Sequence, residues 1–203
     1  GYGGVAELAE LGVQGRRRGR GVRRGVVTAD GQRGGGSQET TASGCSHAPS
    51  LPGCDLRHAR RHINHLFGII DTLEEHNIDK GYIHAFTDGR DVDPKSGFGF
   101  VTELESRLEE SPLQLATVTG RYYAMDRDRR WERTRLAYDA LVNGKGDFSK
   151  NVTASIHNSY DEDITDEFLK PIILTNNNEE PIAKIQDGDV VLFFNFRTDR
   201  GRQ

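Results

Sequence analysis

Beyond residue 62 the hydrophobic positions switch repeatedly between two periods. Ile63, Leu66, Phe67, Ile70 and Leu73 recur at three- and four-residue steps, which places them on one face of a helix that fades near Asn77. Residues 82–86 are short, apolar and β-prone, so a strand is predicted there, emptying into the polar loop Thr87-Asp88-Gly89-Arg90-Asp91 with Pro94 as a break. Phe100, Val101, Leu104 and Leu108 predict a second helix ending near Pro112, and residues 115–118 a second strand. Trp131, Thr134, Tyr138 and Leu141 line one side of a third helix, which Asn143-Gly144 stops. A further helix is predicted over 151–160 and a strand over 171–174. After the Asp187-Gly188 turn, residues 190–196 read as a continuous strand buried on both faces.

Strands alternating with amphipathic helices predict an α/β fold, a mainly parallel sheet flanked by helices and joined by right-handed crossovers. In such sheets ligands gather at the carboxyl ends of the strands. Each of the three clearest strands ends in a loop carrying guanidinium groups: Arg90 after the first, Arg121 and Arg127 after the second, Arg197 and Arg200 after the last. If those strands are parallel, the loops share one edge of the sheet and their cations converge. Arginine suits such a site because its planar fork donates paired hydrogen bonds to phosphate or carboxylate and keeps its charge near neutral pH. The expected ligand is a small, multiply anionic molecule. In any single loop, pairing with the neighbours Asp88, Asp91, Asp126, Asp128 or Asp199 is the better explanation of the arginines, since exposed ion pairs are common and individually weak. Recurrence at three equivalent strand ends favours a site. His84, inside a strand, is expected to be a core histidine rather than a catalyst, and Trp131, Tyr138 and Tyr160 to be ordinary helix-face aromatics.

Composition divides the chain. Residues 1–61 hold 14 of the 24 glycines and contain no Lys, Ile, Asn, Phe, Met or Trp. They carry a formal +5 against −9 for the remainder, which together give the net −4. A packed core is hard to assemble from that alphabet, so residues 1–61 are expected to be a disordered tail. A helical turn around Val5 to Leu11 is too short to stand unaided. The excess of Gly, Arg and Ala also matches what a shifted reading frame yields; sequencing the transcript across the codons for Leu56 to Ile63 tests that expectation. An arginine-glycine tail could bind RNA, but Tyr2 is its one aromatic for base stacking, and nucleic acid is disfavoured as a partner. Cys45 and Cys54 have no second pair or histidines at zinc-ligand spacing and are read as incidental. No apolar run approaches the roughly 18 residues of a membrane span, and a cytoplasmic setting is expected. Asn151-Val152-Thr153 is treated as a chance glycosylation triplet.

Three strings carry a resemblance: Ala85-Phe86-Thr87-Asp88-Gly89-Arg90-Asp91, Gly120-Arg121-Tyr122-Tyr123-Ala124-Met125-Asp126-Arg127 and Phe193-Phe194-Asn195-Phe196-Arg197-Thr198-Asp199-Arg200. With Ile63-Asn64-His65-Leu66-Phe67, Arg130-Trp131-Glu132-Arg133 and Thr165-Asp166-Glu167-Phe168, they resemble the substrate-binding domain of the cofactor-independent phosphoglycerate mutases over residues 62–203. The resemblance implies an isomerase of glycolysis that interconverts 3-phosphoglycerate and 2-phosphoglycerate through a phosphoserine enzyme with two manganese ions. It further implies that Arg90 and Asp91 hold the glycerate carboxylate and hydroxyls, with Asp91 the candidate for proton transfer. Arg121, Arg127, Arg197 and Arg200 would hold the phosphate and carboxylate, with Asp199 in the same loop. A monomer is expected.

Departures from the family pattern shape the rest of the expectation. The family's Asp-Gly-Gly-Val-His-Ser-His run ends at the position of His62; here it reads Leu56 to His62, with Arg60 where a substrate-contacting histidine belongs. Nothing in residues 1–61 resembles the family's serine nucleophile or first metal ligand. Residues 62–203 are therefore expected to be a domain truncated at its C-terminal end, without metal ligands and inactive by itself. The alternative reading is a non-catalytic binding module for phosphorylated small acids.

Overall fold

The computed structural model describes residues 8–15, 63–78 and 80–193, the first of these stretches as backbone only. In chain order the elements are β1 (Leu8–Gly15), α1 (Ile63–Glu75), β2 (Gly81–Thr87), α2 (Gly97–Leu108), β3 (Leu113–Gly120), α3 (Arg121–Ala124) and α4 (Trp131–Tyr138). There follow β4 (Asp147–Ser149), α5 (Val152–Asp161), β5 (Ile172–Leu174) and β6 (Val190–Phe193). A π-helical turn, Asp139–Asn143, prolongs α4, and a 3-10 turn, Asp166–Phe168, precedes β5. Where side chains pack and backbone hydrogen bonds close, the expected helices and strands form within a few residues of their predicted limits. Gly144 ends the third predicted helix with φ +65°, a left-handed cap that glycine adopts without a Cβ penalty.

The expected α/β architecture, a sheet flanked by helices, is what forms. The strand order is β4-β5-β3-β2-β1-β6. β2 and β3 pair in parallel, as do β4 and β5, whereas the β1–β2, β1–β6 and β3–β5 pairings are antiparallel. β6 therefore runs in the direction of β2 and β3, so the three strands followed by arginine-bearing segments are co-oriented. The antiparallel β1 and β5 border the β2–β3 pair.

The core lies mainly between the sheet and α1, α2 and α5. Ile63, Leu66 and Ile70 of α1, Val101 and Leu104 of α2, and Val152 and Ile156 of α5 pack with Ile83, Ala85, Leu115 and Val118 of the two central strands. Because alternate strand residues face opposite sides, Phe86 points away from this cluster and packs with Met125 in a second, smaller one. Arg107 of α2 fastens the layer from outside: its guanidinium donates to Glu74 of α1 at 2.8 and 3.2 Å, while Ser111 donates to the same carboxylate. These hydrogen bonds hold the Glu74 carboxyl below its ordinary pKa.

Four expectations change. Residues 8–15 form a strand where a brief helix was considered and no ordered element expected, because hydrogen bonding along the free edge of β2 stabilises an extended backbone whatever its local propensity. β6 is not the buried strand its apolar run suggested: Val190, Val191 and Phe193 are 45%, 37% and 37% exposed. It occupies the sheet edge with β1 as its neighbour, and an apolar run is read identically whether or not a layer covers it. Residues 194–196 of the predicted strand lie outside the described residues. On α4, Trp131 and Tyr138 are exposed at 59% and 58%, and Ala137 is the buried residue instead. Tyr160 is more than an ordinary helix-face aromatic, since its ring packs against the core and its hydroxyl donates to the buried Asp166. Among the described residues no helix is long and apolar enough to cross a membrane.

Candidate functional site

β2 and β3 run side by side into the same edge of the sheet, with Thr87 paired to Gly120 in the last rung of the ladder. The next residues are Asp88 on one chain segment and Arg121 on the other. Both side chains are buried, 0% and 4% exposed, and they form an ion pair through the Arg121 Nη1 and Asp88 Oδ1. The same Nη1 donates to Asp91 Oδ2 at 3.0 Å, and Asp91 is 45% exposed, so one guanidinium joins the interior to the surface of the site.

Asp88 organises its own loop as well. Oδ1 accepts from the backbone N–H groups of Arg90 at 3.2 Å and Asp91 at 3.3 Å, an Asx-type turn that sets the direction of both residues. Gly89, between Asp88 and Arg90, has φ +64°, which few other residues tolerate, and a Cβ there would come within 2.6 Å of the Asp166 Cβ. Asp88 Oδ2 is buried without a hydrogen-bond partner. Burial opposes the charge on Arg121, but the hydrogen bonds and charges of Asp88 and Asp91 outweigh it and hold its pKa above the ordinary value.

The candidate residues separate into four groups. Asp91 and Arg121 meet directly. Arg90 lies in the same Asx turn but directs its head outward, 62% exposed, where Nη1 is 3.6 Å from Glu167 Oε1. Arg127 is exposed in the loop after α3, with no ion pair or hydrogen bond to Asp91 or Arg121. Arg197, Asp199 and Arg200 lie outside the described residues.

The Arg127 loop is nevertheless built. Asp126 is buried and accepts from the N–H groups of Asp128 at 3.0 Å and Arg130 at 2.8 Å, and Arg133 reaches back to within 3.6 Å of it. The Arg133 guanidinium lies 3.9 Å from the centre of the Tyr122 ring, a cation–π contact. Tyr122 in turn packs against Phe168 of the 3-10 turn at 5.1 Å.

His84 behaves as a core residue. It is 1% exposed, Nδ1 lies 2.9 Å from the Thr117 hydroxyl oxygen, and burial pushes its pKa down to about 4. Asp166 is the group the residue pattern gave no reason to select. Its carboxylate is completely buried, accepts from the Gly97 N–H at 2.6 Å and from the Tyr160 hydroxyl, and is held above its usual pKa by burial. A local signal existed for Asp88, an Asp-Gly pair directly after a strand. None existed for Asp166, whose partners Thr87 and Gly97 lie 79 and 69 positions away.

No group of three or more His, Cys, Asp or Glu able to hold a metal occurs among the described residues. The clustered acids are also poorly placed to hold one: Asp88 faces Arg121, and each oxygen of Asp166 already accepts a hydrogen bond, from Gly97 or from Tyr160.

A parallel strand pair that closes a buried acid around one arginine, beside an exposed acid and a second arginine, gathers charged groups at the carboxyl edge of an α/β sheet, where ligands of such sheets collect. The chain belongs to the family described as the BPG-independent PGAM N-terminus, whose sequence profile matches residues 58–203. It is 54% identical over 142 residues to the 2,3-bisphosphoglycerate-independent phosphoglycerate mutase of Flavobacterium johnsoniae, covering 70% of this chain and 28% of that relative. Over the same length and coverage it is 58% identical to the mutase of Flavobacterium psychrophilum. A crystal structure of Leishmania mexicana phosphoglycerate mutase at low cobalt concentration superposes with a TM-score of 0.60 at 27% identity, over 64% of this chain and 26% of that one. The chain thus spans 28% of the length of these two curated relatives.

Proposed function

We propose that this chain is the substrate-gripping part of a glycolytic phosphoglycerate mutase, acting in the cytoplasm on 3-phosphoglycerate and 2-phosphoglycerate. Arg90 and Asp91 hold the glycerate end, with Asp91 able to take or return a hydroxyl proton. Arg121 and Arg127 hold the phosphate and carboxylate, together with Arg197, Asp199 and Arg200. Holding the glycerate between two phosphoryl transfers makes the second transfer effectively unimolecular. The transfer itself, and the two manganese ions the family resemblance implies, fall to residues outside those described; the chain works as a monomer and by itself does not turn over.

The observation that carries this reading is the bridge from Arg121 to Asp88 and Asp91, which brings the ends of β2 and β3 into one site. Arginine at such a junction answers the chemistry of a ligand with two anionic ends. Isothermal titration of the full chain with 3-phosphoglycerate tests it. Saturable binding that weakens with added salt is expected, and no binding up to millimolar ligand would overturn the reading. Incubation with 3-phosphoglycerate and manganese should give no 2-phosphoglycerate from the chain alone; formation at a steady catalytic rate would refute that part.

A further inference from the structure

The 3-10 turn Asp166–Phe168 touches the segments that deliver Arg90, Asp91 and Arg121. The Asp166 carbonyl accepts from the Thr87 hydroxyl at 2.8 Å, where the loop after β2 begins. Its N–H donates to the Pro94 carbonyl at 2.9 Å, and its carboxylate accepts from the Gly97 N–H at 2.6 Å, where that loop ends and α2 begins. Tyr160, at the end of α5, donates its hydroxyl to the other carboxylate oxygen and accepts from the Phe98 N–H at 3.2 Å. Next to it, Gly120 donates to the Leu169 carbonyl at 2.8 Å, so close to the turn that a Cβ on Gly120 would meet the Glu167 carbonyl oxygen at 2.5 Å.

We propose that Asp166 is a positioning residue for the anion site: its carboxylate clamps the far end of the loop spanning residues 88–96 and thereby fixes Arg90 and Asp91 for the glycerate end of the ligand. The proposal rests on the phosphoglycerate reading above. Three features support it. Among the described residues the carboxylate hydrogen-bonds to no candidate ligand-binding side chain and acts through the backbone of Gly97 and through Tyr160. A loop anchored at both ends loses conformational freedom before the ligand arrives, which lowers the ordering cost of binding. The contacts to Thr87, Pro94 and Gly120 come from backbone atoms of the turn, so a side-chain substitution loosens the Gly97 end of the loop while Arg121 stays in place.

That division supplies the test. The full chain and its Asp166→Ala, Asp166→Asn and Tyr160→Phe variants are titrated with 3-phosphoglycerate and, separately, with inorganic phosphate. Each is measured at a temperature where circular dichroism shows it folded, with amide hydrogen exchange followed at Arg90 and Asp91. Asp166→Ala is expected to bind 3-phosphoglycerate about tenfold more weakly, roughly the loss of one buried hydrogen-bonded anchor, with inorganic phosphate unchanged within about twofold. Asp166→Asn keeps an acceptor for Gly97 and should recover binding to within about threefold of the parent. Exchange at Arg90 and Asp91 should quicken in Asp166→Ala. A purely structural role would lower the melting temperature and leave the folded variant's affinity ratio for the two ligands untouched, and that result overturns the proposal. If Asp166→Ala does not fold, Tyr160→Phe decides: about threefold weaker phosphoglycerate binding supports the clamp, and parental binding rejects it. Failure of the parent chain itself to bind removes the phosphoglycerate reading, while the exchange rates still report whether Asp166 fixes the loop.

Discussion

Arg121 and Arg90 lie at the ends of neighbouring parallel strands, close enough to share the Asp88 carboxylate, yet they are opposite kinds of group. Arg121 is 4% exposed and bonded to two carboxylates, one wholly buried; Arg90 is 62% exposed and faces Glu167 at 3.6 Å. Chemically they are the same side chain. Their difference comes from what surrounds the terminal carbons: Arg121 enters α3 beneath the 3-10 turn, whereas Arg90 follows a left-handed glycine that turns the loop outward. One is a post fixed by two carboxylates, and the other is an exposed arm that, under the proposed function, trades Glu167 for a ligand anion.

The sharpest way to break that comparison is to remove each arginine. Arg121→Met leaves the Asp88 carboxylate buried without its counter-ion, and a loss of about 3–5 kcal/mol in urea unfolding is expected. A loss below about 1 kcal/mol would show that Asp88 escapes by protonation or by opening to water.

The same contrast between buried and exposed groups extends to His84. Burial lowers its pKa from 6.5 to about 4, so the folded protein keeps it neutral while the unfolded chain takes up a proton near 6.5. Stability is therefore complete above about pH 6.5 and is lost as pH falls toward about 4, by roughly 3 kcal/mol in all. Stability measured across that interval in the parent and in His84→Gln checks it, since the substitution should flatten this limb of the curve.

Gly120→Ala sharpens the account of the post. The added methyl would meet the backbone of Glu167, Asp166 and Leu169 at 2.5–2.7 Å, and backbone atoms have little room to yield. A loss of about 1–3 kcal/mol is expected, with weakened ligand binding, from thermal unfolding and titration together. Arg90→Gln should give the smallest stability effect, within about 0.5 kcal/mol, because it deletes one exposed ion pair. Phosphoglycerate binding should nonetheless fall about tenfold, since a charged hydrogen-bond donor to the ligand is gone. Equal stability losses for Arg90→Gln and Arg121→Met would dissolve the distinction between arm and post.

Much of the fold was legible because its signals are local. The three-and-four spacing of Ile63, Leu66 and Ile70 returns as the buried face of α1, and the apolar run before Thr87 returns as β2. The arginines at strand ends were legible for the same reason, as were the strings shared with the phosphoglycerate mutases. What failed was the reading of residues 8–15 and two inferences from pattern to environment. Val190 to Phe193 has the composition of an interior strand but lies at an edge, and the Trp131–Tyr138 stripe has helical spacing but faces outward.

Beyond residue 62 the residue order by itself determined the main helices and the central strands, where the chain turns at Gly89 and Gly144, and that Arg90 and Arg121 follow neighbouring strands. Only the tertiary structure decided which arginine is buried, that Asp88 and Asp91 share Arg121, and that a turn 69 positions away from Gly97 caps α2. The reason is range. Periodicity and turn chemistry act over a few residues, whereas burial and ion pairing depend on surfaces that meet only after the sheet has assembled.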